Sequence, residues 1–303
     1  METSNTTFDA KTWLFVALAI FTVFFLWILV VGVRRKATTQ AVRPKPQAAA
    51  TGFVTAFLDT LGIGSFATTT SIFRQWRLVD DAQLPGTLNV GITLPTVVQA
   101  YIYTRLIPVD SRTLILMIAA AVLGAWLGAG VVCRWPKVRI QIGMGSALLI
   151  AAAIMLGSLL ALLPAGGTAL ALTGTKLGLA IVGNFVLGAL MTLGIGLYAP
   201  CMILVSLLGL TPTAAFPIMM GSCAFLMPVA SARFIKLDRY DLRAALGLAI
   251  GSIPAVLLAA FIVKSLPLNA VRWLVIVVVV YTALNLLRDA RRERVQAATV
   301  TPA

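Results

Sequence analysis

Apolar runs of about 20 residues, the length that crosses roughly 30 Å of hydrocarbon as an α-helix, recur along nearly the whole of this chain. The 303 residues are 60% hydrophobic and only 11% charged, whereas soluble domains are about 45–50% apolar and about 25% charged. Backbone polar groups inside a bilayer must be paired within the protein, and helices achieve this. The sequence therefore predicts an all-α polytopic membrane protein.

A five-residue motif interrupts two of these runs. Thr-Leu-Gly-Ile-Gly occurs at 60–64 and again at 192–196, and each copy places two glycines in the middle of an apolar segment. Glycine weakens a helix, and paired interruptions in the two halves of a transporter point to its binding site. The motif is the main indication of function.

Further residues recur at nearly the same spacing, which indicates an ancestral duplication. The pairs are Pro95 with Pro228, Asp110 with Asp241, Arg112 with Arg243, and Pro136 with Pro267. We expect an N-terminal transmembrane anchor with a basic cytoplasmic linker over 1–50, two homologous repeats over 51–163 and 176–289, and a cytoplasmic tail over 290–303. Each repeat has four apolar segments, expected at 52–76, 84–105, 113–133 and 140–163, and at 176–209, 213–236, 242–264 and 270–288.

The basic residues predict the orientation. The first apolar run, 13–33, is followed by Arg34, Arg35 and Lys36, which indicates an uncleaved anchor with its N-terminus outside and a cytoplasmic linker over 34–50. If the broken segments cross the membrane, the repeats are parallel, with 16 Lys and Arg residues inside and 8 outside. If they are re-entrant hairpins, the repeats are inverted and the numbers become 18 and 6. The positive-inside rule favours the hairpins, and both alternatives place the C-terminus in the cytoplasm.

Charge and composition exclude several classes of protein. The formal net charge is +14, but the basic residues cluster at the ends of apolar runs, so we expect the lipid bilayer and no nucleic acid as partner. The chain contains no His, which excludes His proton relays and His metal ligands. Its three cysteines lack CxxC spacing. We expect no metal site, no cofactor and no enzymatic activity, and no nucleotide-binding motif is present.

The helix that follows each break should begin with unpaired N–H groups at the positive end of its dipole, which together bind anions. Small residues that let helices pack closely would also explain the glycines. Neutral donors in the next segment of each repeat suit the same anion, and hydrogen bonding between helices would explain them equally well. The predicted substrate-binding residues are Gly62, Gly64, Ser65, Thr68 and Asn89 in the first repeat, and Gly194, Gly196, Tyr198, Pro200, Cys201 and Ser222 in the second.

Asp59 is the only acidic residue inside an apolar run. A carboxylate at membrane depth is costly and is by default a candidate functional group, so we predict that Asp59 couples transport to a proton or another ion. Hydrogen bonding to neighbouring hydroxyls, in a packing role, is the alternative. Met191 holds the equivalent position in the second repeat, so the two halves differ chemically.

Two segments, 52–73 and 183–210, resemble the signature repeats of the sulfite exporter TauE/SafE family of membrane permeases. The strings Leu-Gly-Ile-Gly-Leu-Tyr-Ala-Pro-Cys at 193–201 and Ala-Phe-Pro-Ile-Met-Met-Gly-Ser-Cys-Ala at 215–224 are the closest matches. The resemblance implies movement of small anions such as sulfite, sulfonates or organic acids. Ser65 and Leu197 stand where members often continue a glycine run, and the anchor lies outside the usual pattern.

We therefore expect a secondary transporter of the bacterial inner membrane that exports a small sulfur-containing or organic anion such as sulfite or a sulfonate, coupled to a proton or another ion. Uptake of the same anions is one alternative. A soft-metal or thiol-handling protein is a second, because Met and Cys are concentrated in the second repeat and suit Cu(I). A membrane scaffold without a substrate is a third.

Overall fold

The computed structural model describes residues 3–37, 42–61, 64–162, 167–194, 196–262 and 268–300. Within these ranges the protein is helical, and its regular elements are eleven α-helices and one short 3-10 turn. The helices are α1 (Thr3–Ala37), α2 (Pro46–Thr60), α3 (Ser65–Gln75), α4 (Leu84–Leu106), α5 (Ser111–Val132), α6 (Lys137–Leu159), α7 (Gly174–Met191), α8 (Tyr198–Leu207), α9 (Ala215–Lys236), α10 (Leu242–Ile262) and α11 (Leu268–Val300).

Six helices in the described ranges are long and apolar enough to cross a membrane. They lie in α1, α5, α6, α7, α9 and α10. In contrast, α2, α3 and α8 have only 15, 11 and 10 residues, and at about 1.5 Å per residue none reaches across 30 Å of hydrocarbon. Both predicted breaks are therefore real interruptions, between α2 and α3 and between α7 and α8.

The duplicated aspartates have the same local role in both halves. Asp110 precedes α5, and its carboxylate accepts a hydrogen bond from the Thr113 backbone N–H at 2.8 Å. Asp241 precedes α10 and accepts from the Ala244 N–H, also at 2.8 Å. Each carboxylate satisfies an N–H group that the first turn of a helix leaves unpaired, which is why Asp is favoured there.

The first broken pair, α2 and α3, begins and ends on one face of the protein. Lys45, just before α2, donates from Nζ to the backbone carbonyl of Leu78, just after α3, at 2.6 Å. The same ammonium group pairs with Asp241 at 2.7 Å, so the start of α10 lies there too. We call this face the linker side and the opposite face the far side.

The second broken pair, α7 and α8, enters from the far side. The 23 residues of α4 start close after α3 and extend about 35 Å, so α5 begins on the far side. Residues 167–172, which lead into α7, contact that end of α5, because the Asp110 N–H donates to the Leu170 carbonyl at 3.0 Å. They also pair with the backbone just after α8, where the Thr211 N–H donates to the Ala169 carbonyl at 2.8 Å. The two pairs are hairpins inserted from opposite faces, and the alternative of parallel crossing segments is wrong.

Helices of the two halves pack in matching pairs. α2 packs along α10 and α7 along α5, while α4 packs against α9 and α6 against α11. Small residues permit the close approach: a Cβ on Gly188 of α7 would overlap the Ala121 carbonyl of α5, and one on Gly251 of α10 would overlap that of Ala49 of α2. This reciprocal packing is what a two-fold relation between the halves requires. Their common ancestry stays a prediction.

The anchor helix α1 packs mainly on α9. On the far side, Lys11 Nζ donates to the Thr104 carbonyl at 3.4 Å. On the linker side, Lys36 Nζ pairs with Asp238 at 2.7 Å and donates to the Tyr240 carbonyl at 2.9 Å. The helix α1 therefore runs along the surface of the bundle from the far side to the linker side.

Two helices extend beyond the segments that the sequence predicted for them. The linker expected over 34–50 is shorter, because α1 continues to Ala37 and α2 already begins at Pro46, where the fixed φ of proline suits a first helical turn. The tail expected over 290–303 continues α11 as far as Val300. Two acidic residues in this part of α11 pair with the rest of the bundle: Asp289 pairs with Arg74 at 2.7 Å and Glu293 with Lys137 at 3.0 Å.

Candidate functional site

The two helix breaks meet at a small cavity in the middle of the protein. Its volume is about 10 Å³, which is about the space of one water molecule, so the protein is closed around the site. Residues of both hairpins and of α4 and α9 line it: Asp59, Gly64, Ser65, Phe66, Thr96, Met191, Gly196, Leu197, Tyr198 and Cys223. The duplicated motif therefore contributes to one site and not to two.

Glycine is required on each side of this cavity. Gly64 directly precedes α3 with a φ of 87°, and Gly196 lies two residues before α8 with a φ of 74°. This left-handed region is unfavourable for residues that carry a Cβ. The backbone turns sharply at both points, and each turn aims the start of a short helix at the cavity.

The carboxylate of Asp59 occupies the N-terminus of α3. It is only 2% exposed, and its Oδ1 accepts a hydrogen bond from the Ser65 backbone N–H at 2.5 Å. Its Oδ2 accepts from Gln99 Nε2 of α4 at 3.0 Å. Unpaired N–H groups and the helix dipole make such a terminus an anion site. In the closed protein, an internal anion fills the place that the sequence predicted for the substrate.

Gln99 links the two hairpins through its amide. The Nε2 group donates to Asp59 and also to Thr60 Oγ1, at 3.0 Å, while the Oε1 atom accepts from the Tyr198 hydroxyl of α8 at 3.0 Å. Tyr103, one turn further along α4, donates its hydroxyl to the Thr60 carbonyl at 2.6 Å. A continuous polar chain thus joins the first break to the second in an otherwise apolar interior.

The second break has a different chemical character. Leu197 stands before α8 and has no side-chain oxygen to cap the helix, and Pro200 contributes no N–H group. Met191 lies in the cavity wall, as Asp59 does, and its Sδ atom lies 3.5 Å from Cys223 Sγ. The predicted asymmetry between the halves is therefore present in one cavity: a carboxylate on one side, a thioether and a thiol on the other.

Five of the twelve predicted site residues line the cavity, namely Asp59, Gly64, Ser65, Gly196 and Tyr198. Thr68 lies one turn into α3 and bonds to the Ser65 carbonyl at 2.9 Å. Cys201 is buried in the first turn of α8. Gly62 lies outside the described residues.

The other predicted residues lie away from the cavity wall. Asn89 is ten residues before Gln99 on α4, about 15 Å along the helix, and donates to the Pro85 carbonyl at 2.8 Å. Ser222 accepts a hydrogen bond from Asn184 of α7 at 2.9 Å, which joins α9 to the second hairpin. Gly194 packs near the Met144 side chain, and Pro200 is half-buried in α8.

Sequence reasoning missed the central role of Gln99. Its signal was present, since Gln99 and Thr96 are polar residues at membrane depth near Pro95, but the same pattern fits interhelical bonding anywhere along α4. Phe66 and Leu197 also line the cavity, and no polar pattern marks these two apolar residues as part of its wall.

A second, polar cavity of about 650 Å³ opens at the other end of α3. Its walls come from the end of α3 and the loop after it, the start of α6 and the middle of α11, and it lies on the linker side. Arg74 makes two hydrogen bonds to Asp81, at 2.9 and 3.1 Å, and one to Asp289 at 2.7 Å. We call this second cavity the linker-side vestibule. The helix α3 extends from the vestibule to the central cavity, and ion pairs hold the vestibule end of α3 to its neighbours.

In the described ranges, no group of three or more His, Cys, Asp or Glu side chains is placed to hold a metal ion. Cys133, Cys201 and Cys223 are all buried free thiols. The polar groups assembled at the breaks are instead backbone N–H groups, an amide, a phenol and one carboxylate, which can bind an anion and exchange a proton.

Membrane-length helices with two hairpins that meet from opposite faces define a multi-pass membrane transporter. The profile of one family, described as Sulfite exporter TauE/SafE, matches residues 5–156 and 176–303. The chain belongs to this family and is a membrane transporter of the sulfite-exporter type. The match includes most of α1, so the expectation that the anchor lies outside the family pattern is wrong. No curated protein and no solved structure matches the chain.

Proposed function

We propose that this protein exports a small sulfur-containing or organic anion, such as sulfite or a sulfonate, from the cytoplasm across a bacterial inner membrane. The observation that carries the proposal is the carboxylate of Asp59 held at the N-terminus of α3, where both hairpins meet. A site that binds an internal carboxylate has the donors that a substrate oxyanion needs. The distribution of basic residues supports the orientation in which the linker side and the C-terminus face the cytoplasm.

Coupling follows from competition for the α3 terminus. Asp59 and the substrate cannot both occupy it as anions, because two unit charges about 4 Å apart repel by about 4 kcal/mol at an effective dielectric of about 20. When Asp59 takes up a proton, the repulsion disappears and its hold on the Ser65 N–H weakens, so the substrate can replace it. One proton is thereby taken up for each anion that binds.

The closed cavity requires a conformational change in each transport cycle. A sulfite or sulfonate group is larger than the cavity of about 10 Å³, so the hairpins must separate to admit it. Opening on the linker side would move α3 away from α11 and break the Arg74–Asp289 ion pair. Opening on the far side would move α8 away from α4 and break the Tyr198–Gln99 hydrogen bond. The two contacts act as gates for alternating access.

The substrate class is tested with purified protein and a panel of sulfite, thiosulfate, sulfonates and small carboxylates. At equal concentration, anions that bind more tightly should raise the thermal unfolding temperature more, and flux in proteoliposomes should follow the same order. Movement only from the far side to the linker side would support the uptake alternative. Failure of every anion to bind or move would contradict the proposal and favour a scaffold.

The contact between Cys223 and Met191 in the cavity wall favours a second candidate, a soft-metal or thiol-handling function. The variants Cys201→Ser and Cys223→Ser separate the two functions. Anion flux should survive these changes at least in part, because the donors around Asp59 remain. Complete loss of function in both variants, with folding retained and Cu(I) binding lost, would instead support the metal function.

A further inference from the structure

A groove of about 320 Å³ lies between the anchor α1 and the end of α9, remote from the central cavity. Its walls are mainly apolar: Trp27, Ile28 and Val31 come from α1, and Ala232 and Ile235 from α9. Trp27 is 65% exposed and Val31 is 49% exposed. The groove is therefore an apolar channel on the lipid-facing surface of the bundle.

The floor of the groove contains a buried hydroxyl. Tyr240, in the turn between α9 and α10, is only 1% exposed, and its hydroxyl has no hydrogen-bond partner among the described residues. A buried polar group without a partner is rare, and each one requires an explanation. Burial raises the pKa of Tyr240 to about 12, so the phenol remains a hydrogen-bond donor at neutral pH.

Gly32 of α1 packs directly against this hydroxyl. A Cβ at that position would lie 2.8 Å from the Tyr240 oxygen and 2.8 Å from Cγ2 of Ile235. Any larger residue would therefore displace Tyr240 or Ile235 and change the floor of the groove. The glycine and the phenol together form a donor site at the inner end of an apolar channel.

The rim of the groove is basic and lies at the linker-side surface. Arg35, Lys36 and Lys236 border it, together with Asp238. Lys36 pairs with Asp238 at 2.7 Å and lies over the Tyr240 ring, 4.2 Å from its centre. The four charged groups sum to a net positive charge. Basic pockets between membrane helices on the cytoplasmic side suit anionic lipid headgroups.

We propose that this groove binds one anionic phospholipid, with an acyl chain along Trp27, Val31 and Ile235 and its phosphate at the rim beside Lys236. The Tyr240 hydroxyl donates to an ester or phosphate oxygen of that lipid. The bound lipid fills the gap between α1 and α9 and holds the anchor against the bundle. The proposal is independent of the transported substrate, because none of these residues lines the central cavity.

The test uses the full chain in neutral detergent, with phosphatidylglycerol or phosphatidylcholine added, and native mass spectrometry to count retained lipid. We expect phosphatidylglycerol to be retained and to raise the thermal unfolding temperature, with phosphatidylcholine much weaker. Tyr240→Phe should weaken phosphatidylglycerol binding about fivefold, as expected for one hydrogen bond. Lys236→Gln should weaken it to a similar extent, and added salt should reduce that difference.

Matched controls are available in the chain. Tyr281→Phe removes an exposed phenol from α11, and Lys176→Gln removes an exposed cation on the far side, so both should retain the lipid. Unfolding without added lipid shows whether Tyr240→Phe is itself destabilised. Equal retention of the two lipids, equal losses in the control variants, or full retention by Tyr240→Phe would overturn the proposal. Stabilisation by inorganic phosphate alone would show an anion site and not a lipid site, and would overturn it too.

Discussion

The substitution Asp59→Asn tests the competition between the internal carboxylate and the substrate. Asn keeps the shape of the side chain but removes its charge. One oxygen is replaced by an NH₂ group, so either the Ser65 N–H or Gln99 Nε2 loses its acceptor. We expect lower stability, tighter binding of the anion, and transport that no longer responds to pH.

The magnitudes follow from the contacts of the carboxylate. Loss of a charge-assisted hydrogen bond costs about 1.5–3 kcal/mol, and loss of the favourable interaction with the α3 dipole adds about 0.5 kcal/mol. These losses sum to about 2–3.5 kcal/mol, and relief of the desolvation cost of the buried charge offsets part of them, so the free energy of unfolding should fall by less than that sum. Removal of about 4 kcal/mol of repulsion sets an upper limit of roughly 10³-fold on the gain in anion affinity. The ligand should then recover most of the lost stability.

Flux of the labelled anion is measured in proteoliposomes with and without a pH gradient, and anion affinity is measured by calorimetry. Asp110→Asn is the matched control, because Asp110 also caps a helix but lies on the far side, away from the cavity. Asp59→Glu keeps the charge and should retain pH dependence. If Asp59→Asn left affinity, flux and pH dependence as in the native protein, the competition mechanism would be refuted.

Three further predictions concern the same machinery. Tyr198→Phe removes the donor to Gln99 Oε1 and should raise KM about threefold to tenfold, since one neutral hydrogen bond contributes about 1 kcal/mol. An unchanged KM would show that the Tyr198 hydroxyl does not contribute to substrate binding. Gly196→Ala should lower the free energy of unfolding by about 1 kcal/mol, because the φ of Gly196 is 74°. The control Gly178→Ala, in an open helical position, should be neutral or stabilising. Equal effects of the two substitutions in chemical denaturation would contradict the inference that Gly196 lies in a strained turn. Arg74→Gln should destabilise the closed state by about 2 kcal/mol. A Cys introduced in the linker-side vestibule should then react faster with a polar thiol reagent. An unchanged labelling rate would show that the ion pairs do not act as a gate.

The two ion pairs of Arg74 on the linker side differ in their expected response to salt. Arg74 has a side chain that is 13% exposed, and its partner Asp81 is 11% exposed, so this ion pair is largely shielded from screening. Asp289 is 42% exposed and its contribution should weaken with ionic strength. The linker-side gate thus combines one contact that persists in salt with one that does not.

Much of the fold could be predicted from the sequence because helix formation in a membrane is decided locally. Apolar runs of membrane length set most helix bounds to within a few residues, and the glycines of the duplicated motif marked both breaks. The capping roles of Asp110 and Asp241 are also local, because each bonds to a residue three positions along the chain. The contact of Asp59 with Ser65 is similar, since only six residues separate them.

Tertiary structure alone decided how these parts are combined. The two topologies differed by only two residues in the distribution of basic charge, whereas the contact of Lys45 with Leu78 shows directly that the first broken pair returns to its starting face. Gln99 meets Asp59 across 40 residues and Tyr198 across 99 residues, and no local pattern contains such distances. The chain alone therefore determined that two broken helices exist and which residues follow each break. Packing determined that they insert from opposite faces and share one cavity, because only long-range contacts place two chain segments at the same point.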